Sequence, residues 1–452
     1  MATPTPTPRN IAIEVLCLWA TTHHTMDALF QPAVARLPAI DRGLAKTLVY
    51  GVLRYKQYLD HVLRSFSKHP LRSMKPRTLM TLRVGIYQLL FLHRIPESAA
   101  VNATVNTLKE ARQPRWLIGF VNGVLRAVAR QRDQIPDAEK MSRAEPPILN
   151  HPDWLLERWH AEFGEERTRA ICACNNSEPP LTLRVNTRAI SPASLRKALK
   201  LSGIPVEPGL FSPQALRIGE PLGAVSTLPG YREGHFQVQD EAAQLASLLA
   251  GPLPARCRVL DACAGLGGKT SHLAELLPPD GELIAVEPDK RRCSLLWDNL
   301  RRLHLVEQVV PVRMTLDDFA AGAPRPFDLI LVDAPCSGTG VIRRQPDIRW
   351  NRRPEDLAPL ATTQLGLLDT AAHLLKPGGV LLYATCSLER EENREVVERF
   401  LAAHPGYAVE SAAGFLPLPA HKLVGASGFF QPVPTDGLDG FFAARLRAPA
   451  DL

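Results

Sequence analysis

Two cysteines stand where buried strands should end. Cys336 sits in "DAPCSGTG", directly after the apolar run "DLILV" (Asp328–Val332), and Cys386 sits in "YATCS", fifty residues on. A single cysteine at a strand end is ordinarily a small buried hydrophobe. Two at the same edge of one sheet are candidates for thiol chemistry, since a thiolate is the nucleophilic form of the side chain. Asp333 adds a carboxylate three residues before Cys336, and Gly338 and Gly340 leave space beside it. A glycine-rich stretch precedes them, "DACAGLGGKTSHLAEL" (Asp261–Leu276). Gly265, Gly267 and Gly268 let the backbone turn tightly and approach a ligand, and a helix beginning near Lys269 offers free amides to a negative group. The stretch is not a phosphate-binding P-loop, because Cys263 stands where that motif needs its first glycine, and the dinucleotide spacing of glycines is absent too. Glu287, in "IAVEPDK", would suit the two hydroxyls of a ribose, or would simply favour the start of the next helix.

These residues need a scaffold that brings them to one edge. From Ala255 on, apolar runs ("RVLDAC", "ELIAVEP", "VVPVRM", "DLILVDAP", "GGVLLYATCS") alternate with helical stretches. Runs apolar on both faces, alternating with helices, predict a doubly wound parallel sheet, which binds ligands at the carboxyl ends of its strands. Residues 8–135 carry apolar positions at helical spacing throughout and predict an all-α bundle. Residues 136–180 read as a connector with one amphipathic helix, "PDWLLERWHAEFG". "LTLRVNTRAISPASLRKALKLSGIPVE" predicts strand, turn and helix in a small α+β module, and "GHFQVQDEAAQLASLLAG" a short strand and a helix.

Composition narrows the partners. The 452 residues are 45% hydrophobic and 22% charged, with no run long enough for a membrane helix and no apolar leader core in "MATPTPTPRN"; a cytosolic protein is expected. The eight cysteines are too dispersed for a disulfide framework, and "CAC" (Cys172–Cys174) lacks the further ligands of a metal site, so neither metal nor disulfide is expected. Residues 1–150 hold 21 Lys and Arg against 10 Asp and Glu, while the rest of the chain sums to −4. So basic a first third fits a polyanionic partner or, equally, a solubilising surface.

The glycine-rich stretch, "DAPCSGTGVIRRQPDIRW" and "YATCSLEREENREVVERFL" resemble the signature motifs of S-adenosylmethionine-dependent RNA 5-methylcytosine methyltransferases. "PLTLRVN" and "FQVQDEAAQLA" resemble the segments this family places before its catalytic domain. "DRGLAKTLVYGVLRY", "LRVGIYQLLFLHRIPESAAVN" and "FVNGVLR" resemble the NusB-type RNA-binding domain. Together they point to the RsmB (Sun/Fmu) branch, which modifies cytosine in 16S ribosomal RNA. The resemblance implies an α/β fold: a Rossmann-like class I methyltransferase doubly wound sheet, preceded by an all-α NusB-like bundle and a small α+β module. The expected division is 1–140 NusB-like, 141–178 helical connector, 179–235 α+β RNA-binding module and 236–452 catalytic domain.

The resemblance also assigns roles. Cys386 would attack cytosine C6 and Cys336 would help release the product, with Asp333 holding the base edge. Cys263, Ala264, Gly265, Leu266, Gly267, Gly268, Lys269, Glu287, Asp317 and Asp333 would hold S-adenosylmethionine. Three departures stand out. Gly265-Leu266 replaces the family's usual Ala-Pro, Glu287 its usual Asp, and "RMTLDDF" its usual Gly-Asp pair, so that Asp317 or Asp318 would take the adenine side. Arg343, Arg344 and Arg349, with Trp350, follow Cys336 and are expected to contact RNA, as is Arg184 in "LRVN"; the alternative is a solvated arginine loop. The expected partner is 16S ribosomal RNA, bound by a monomer. The same chemistry on transfer RNA, or a non-catalytic RNA-binding assembly or antitermination factor, are the alternatives.

Overall fold

Seven strands form the sheet that carries the two cysteines. In the computed structural model, which describes residues 6–22, 24–219 and 223–451, they are β5 (Arg258–Asp261), β6 (Glu282–Val286), β7 (Val309–Val312), β8 (Phe327–Asp333), β9 (Leu375–Thr385), β10 (Ala408–Glu410) and β11 (Phe442–Arg447); β1 to β4 belong to a second, smaller sheet. The order is β10-β11-β9-β8-β5-β6-β7. The pairings from β9 through β8, β5 and β6 to β7 are parallel, and β11 pairs antiparallel with both β9 and β10. Successive residues of each strand point to opposite faces. Val259, Leu283, Leu331 and Leu382 accordingly enter one apolar core, and Leu260, Ile284, Ile330 and Leu381 another. Both faces are covered, as the apolar runs required.

The antiparallel edge was not foreseen. "FAARLR" carries two arginines within six residues, which reads as exposed chain. Both guanidiniums bond to Glu410 on β10: Arg445 Nε at 2.6 Å, and Arg447 Nε at 3.1 Å. That pairing lets Arg445 sit only 4% exposed.

The smaller sheet has the order β2-β3-β1-β4, from β1 (Leu181–Val185), β2 (Val206–Pro208), β3 (Ala215–Ile218) and β4 (Phe236–Val238), all antiparallel. The helix Pro192–Leu201 packs on it through the fully buried Leu195 and Leu199. β4 pairs with β1, so "FQV", expected to open the catalytic segment, completes the small sheet.

The chain divides into two compact units. One comprises residues 1–177 and 342–353, the other 178–341 and 354–452. In the first, helices Pro8–Thr21, Met26–Val34, Ala39–Arg54, Lys56–Phe66, Pro76–Phe91, Glu97–Glu110 and Arg115–Arg130 enclose one core. Pro8 and Pro76 occupy first-turn positions, where a missing N–H costs nothing. The helices cross tightly at Gly51, where a Cβ would stand 2.0 Å from the Tyr87 ring. Arg83 and Asp60 form a buried two-pronged ion pair, both contacts 2.8 Å. After the short helix Ala138–Ser142 come two more, Asp153–Phe163 and Glu165–Asn175, separated by Gly164 at φ 78°, where one helix was expected in the whole connector. The second, "EERTRAICACN", escapes notice because it buries only Thr168, Ile171, Cys172 and Asn175.

Candidate active site

The glycine loop leaves β5 at Asp261, whose buried carboxylate accepts from Cys263 N (3.3 Å) and Thr270 Oγ1 (2.7 Å). Burial pushes this carboxyl up to about 6, with the Asp333 charge adding to it and the Thr270 bond opposing. Gly265 and Gly267 have φ of 56° and 84°, and a Cβ on Gly267 would meet Leu296 Cδ1 at 2.4 Å. The helix Gly268–Leu276 then starts, its first amides without intrahelical acceptors. Glu287, just past β6 and 3% exposed, accepts from Gly265 N (3.0 Å) and Asp289 N (2.8 Å). It therefore fixes the loop to the neighbouring strand, and each oxygen keeps a lone pair for a ligand hydroxyl. Asn299 Nδ2 donates to Leu266 O (2.9 Å), which holds the Gly265-Leu266 variant in place; the Leu266 side chain is half-exposed. Ala264 N donates to Val286 O (3.0 Å). Burial and the charges of Asp261, Asp333 and Glu287 push the Cys263 thiol up, so Cys263 is no nucleophile.

Lys269 reaches from the glycine-loop helix to Asp333 Oδ2 (2.6 Å) and lies 4.9 Å from the centre of the Phe441 ring. Asp317 is placed otherwise than expected. It lies in the first turn of the helix Leu316–Ala321 and accepts from Thr370 Oγ1 (2.8 Å), while Asp318 bonds the capping Thr315. No hydrogen bond joins either acid to the glycine loop or Glu287 among the described residues.

β8 and β9 are parallel neighbours with Asp333 opposite Ala384, so the residues beyond their ends emerge together. Cys336 Sγ and Cys386 Sγ lie 3.4 Å apart, each half-buried. The hydrogen bond with Cys386 and burial push the Cys336 thiol up, as does the nearby Glu392. Three hydrogen bonds tie the loops: Gly340 N donates to Cys386 O (2.9 Å), Gly440 N to Gly340 O (2.9 Å), and Leu388 N to the Thr339 side-chain Oγ1 (2.9 Å). Behind the thiols lies a group the sequence did not reveal. Glu392, with no exposed surface, accepts from Ser337, Ser387 and Gln364. Within "LEREENREVV" it reads as one more surface charge of a helix start; only its fixed distance from "TCS" marks it.

Two of the four arginines expected to meet RNA are interior struts, which corrects that expectation. Arg184 is fully buried; Nη1 donates to Gly268 O (2.8 Å) and to Gln239, and Nη2 to Ser271 Oγ (2.8 Å) and Glu275 Oε1 (2.7 Å). It bolts β1 to the helix of the glycine loop. Arg349 is equally buried, in the other unit, and donates to Asn150 O (2.9 Å), Asn176 Oδ1 (2.6 Å) and Asn175 O (3.0 Å). Trp350 does not offer a free ring either: its Nε1 donates to Leu53 O (2.7 Å) and Lys56 stands 4.8 Å over it. Arg343 and Arg344 are half-buried on the same segment. No group of three or more His, Cys, Asp or Glu among the described residues could hold a metal ion, and no helix there is long and apolar enough to cross a membrane.

A glycine loop after the first parallel strand, an acid after the second and an antiparallel strand inserted next to the far edge define a Rossmann-like methyltransferase. Known proteins agree. Residues 252–447 match the profile of the 16S rRNA methyltransferase RsmB/F, residues 6–130 that of the NusB family, and residues 151–225 the ferredoxin-like domain of RsmF/B-like methyltransferases. The probable ribosomal RNA small subunit methyltransferase B of Bacillus subtilis (strain 168) is 34% identical over 97% of this chain and 98% of its own. The ribosomal RNA small subunit methyltransferase B of Sodalis glossinidius is 38% identical over 97% of each. The crystal structure of PH0851 covers 99% of both chains with a TM-score of 0.78 at 26% identity. The chain belongs to the RsmB/F family of methyltransferases.

Proposed function

We propose that this protein methylates C5 of a cytosine in small-subunit (16S) ribosomal RNA, using S-adenosylmethionine and a covalent bond from Cys386 to C6 of the base. The observation that carries the reading is the pair of sulfurs 3.4 Å apart at the sheet edge, beside the glycine loop. The curated relatives named as ribosomal RNA small subunit methyltransferases supply the RNA class.

The residues present fit the cofactor. The unpaired first-turn amides after Gly267 would meet its carboxylate, and the remaining lone pairs of Glu287 its ribose hydroxyls. When bound, S-adenosylmethionine supplies an electrophilic methyl group. Cys386 makes a poor nucleophile, cytosine C5, reactive by adding to C6, which divides one difficult step into two. Lys269 occupies Asp333 Oδ2, leaving Oδ1 to accept from the amino edge of the base. Release breaks the S–C6 bond and removes the C5 hydrogen as a proton. Cys336 is the group beside the leaving sulfur; as a thiolate it would take that proton while the S–C6 electron pair returns to Cys386. The base must leave any stack to reach the thiols.

The test is Cys336→Ala on the full chain with ribosomal RNA and cofactor. A denaturation-resistant RNA–protein adduct should accumulate, and Cys386→Ala should abolish both adduct and methylation. Normal turnover by Cys336→Ala without adduct would overturn the division of roles. Bisulfite sequencing of RNA from a deletion strain would show whether the lost mark lies in ribosomal or transfer RNA.

A further inference from the structure

We propose that Glu392 is the positioning residue of the two-thiol site, its buried carboxylate joining the loop after Cys336 to the loop after Cys386 and so fixing the two sulfurs side by side. The catalytic consequence rests on the methylation reading above; the geometric claim stands without it.

Each cysteine is followed by a serine. The two serine hydroxyls lie 3.0 Å apart and the two sulfurs 3.4 Å apart, so the serine pair repeats the sulfur pair one residue along. Glu392 holds the serine pair. Oε2 accepts from Ser337 Oγ and from Ser387 Oγ, both at 2.5 Å, one from each loop. Oε1 accepts from Ser337 N (2.8 Å) and Gln364 Nε2 (3.0 Å). Gln364 Nε2 also donates to Pro335 O (2.9 Å), on the other side of Cys336. Glu392 is held in turn: its own carbonyl accepts from Tyr383 OH (2.5 Å), in the body of β9.

An acid near the start of the helix Arg394–Ala403 has a plainer explanation, attraction to the helix dipole. That account requires no burial and no partners. A carboxylate with no exposed surface is costly to bury unless its lone pairs are filled, and here both oxygens are filled by donors from the two cysteine loops and Gln364. Bonds to a charged acceptor are stronger than neutral ones. The group is thus placed to set the distance between the loops, where a helix-start acid would face solvent.

The experiment is Glu392→Gln, with Ser387→Ala as a second variant that keeps the carboxylate and removes one of its ties. The first readout needs no RNA. The folded full-length protein is treated with diamide, which takes up the two thiol hydrogens as an S–S bond forms between Cys336 and Cys386, and that bond is followed by peptide mapping. Losing one hydrogen bond to a charged group is worth about ten-fold or more, so oxidation should slow by about that factor in Glu392→Gln and by less in Ser387→Ala. The second readout is turnover, in which kcat should fall while KM for S-adenosylmethionine holds. A purely structural role would lower the melting temperature and leave the oxidation rate of the folded protein unchanged. Oxidation at the wild-type rate in both variants would overturn the proposal. Slow oxidation together with no adduct in Cys336→Ala would keep the positioning role and sink the methylation reading; the reverse pattern would do the opposite.

Discussion

Gly340→Ala tests whether the thiol site depends on backbone contact between three loops. A Cβ built on Gly340 stands 2.1 Å from Gly440 O, 2.6 Å from Gly440 C and 2.8 Å from Cys386 O. Carbon–oxygen contacts ordinarily close no further than about 3.3 Å, so the backbone at Gly440 must move by roughly 1.2 Å. No side chain can rotate to make room, because all three atoms are backbone. The movement would break the bond from Gly440 N to Gly340 O and strain the one from Gly340 N to Cys386 O. Overpacking of this kind costs about 1–3 kcal/mol of stability. A displacement near 1 Å at reacting groups costs about 100-fold in rate. Gly340→Ala should therefore fold with a lowered melting temperature and lose about two orders of magnitude in methyl transfer to RNA. Gly366→Ala is the control: it lies inside the helix Leu357–Ala372 with nothing within 4 Å of a Cβ, and should be neutral or stabilise by up to about 1 kcal/mol. Wild-type turnover and melting in Gly340→Ala would refute the reasoning.

Asp261 makes stability fall with pH. Its folded carboxyl titrates near 6 while the unfolded one titrates near 3.8, so between those values the unfolded chain releases its proton first and stability drops, by up to about 3 kcal/mol. Asp261→Asn should remove that slope, read as denaturant midpoints at about pH 4 and about pH 7; an unchanged slope would count against it. Arg184→Met strips the partner from Glu275, both side chains being fully buried, and should cost about 3–5 kcal/mol while leaving the salt dependence of RNA binding intact. Arg349→Met should behave likewise in the helical unit, since its guanidinium fills three internal acceptors. A stable Arg349→Met with a flatter salt slope would restore it as an RNA contact.

The parallel core of the large sheet was legible because burial on both faces leaves an apolar run no hydrophilic alternation can imitate. The thiol pair was legible because parallel neighbours end at one edge, so two cysteines at strand ends converge. The misread arginines share one property: the charge is compensated by a residue distant in sequence. Arg445 and Arg447 hide β11 because Glu410 lies 35 and 37 residues away. Arg184 resembled an RNA contact because Glu275 is 91 residues off. Arg349 follows Cys336 closely in sequence, yet its acceptors come from residues 150, 175 and 176. Proximity along the chain to the Cys336 motif suggested a surface role that its full burial excludes. Periodicity reports the environment of apolar side chains; it carries no information about which polar partner a buried charge has found.

The same reasoning explains why two loops can hold sulfurs at a defined separation. Loops are ordinarily the mobile parts of a fold. Here each loop is short, leaves a strand of the buried sheet, and is bonded to the other through Gly340, Thr339 and the Glu392 carboxylate. Opening the pair would leave buried acceptors without donors, at a cost of about 1–3 kcal/mol each. The sulfur separation is therefore set by the interior behind the thiols, not by the solvent-facing turns around them. Addition at C6 and proton removal at C5 act on adjacent carbons of one base at different times, and that requires both sulfurs within reach of it without reorganisation. A fixed pair meets the requirement; two independently moving cysteines would have to find the base twice.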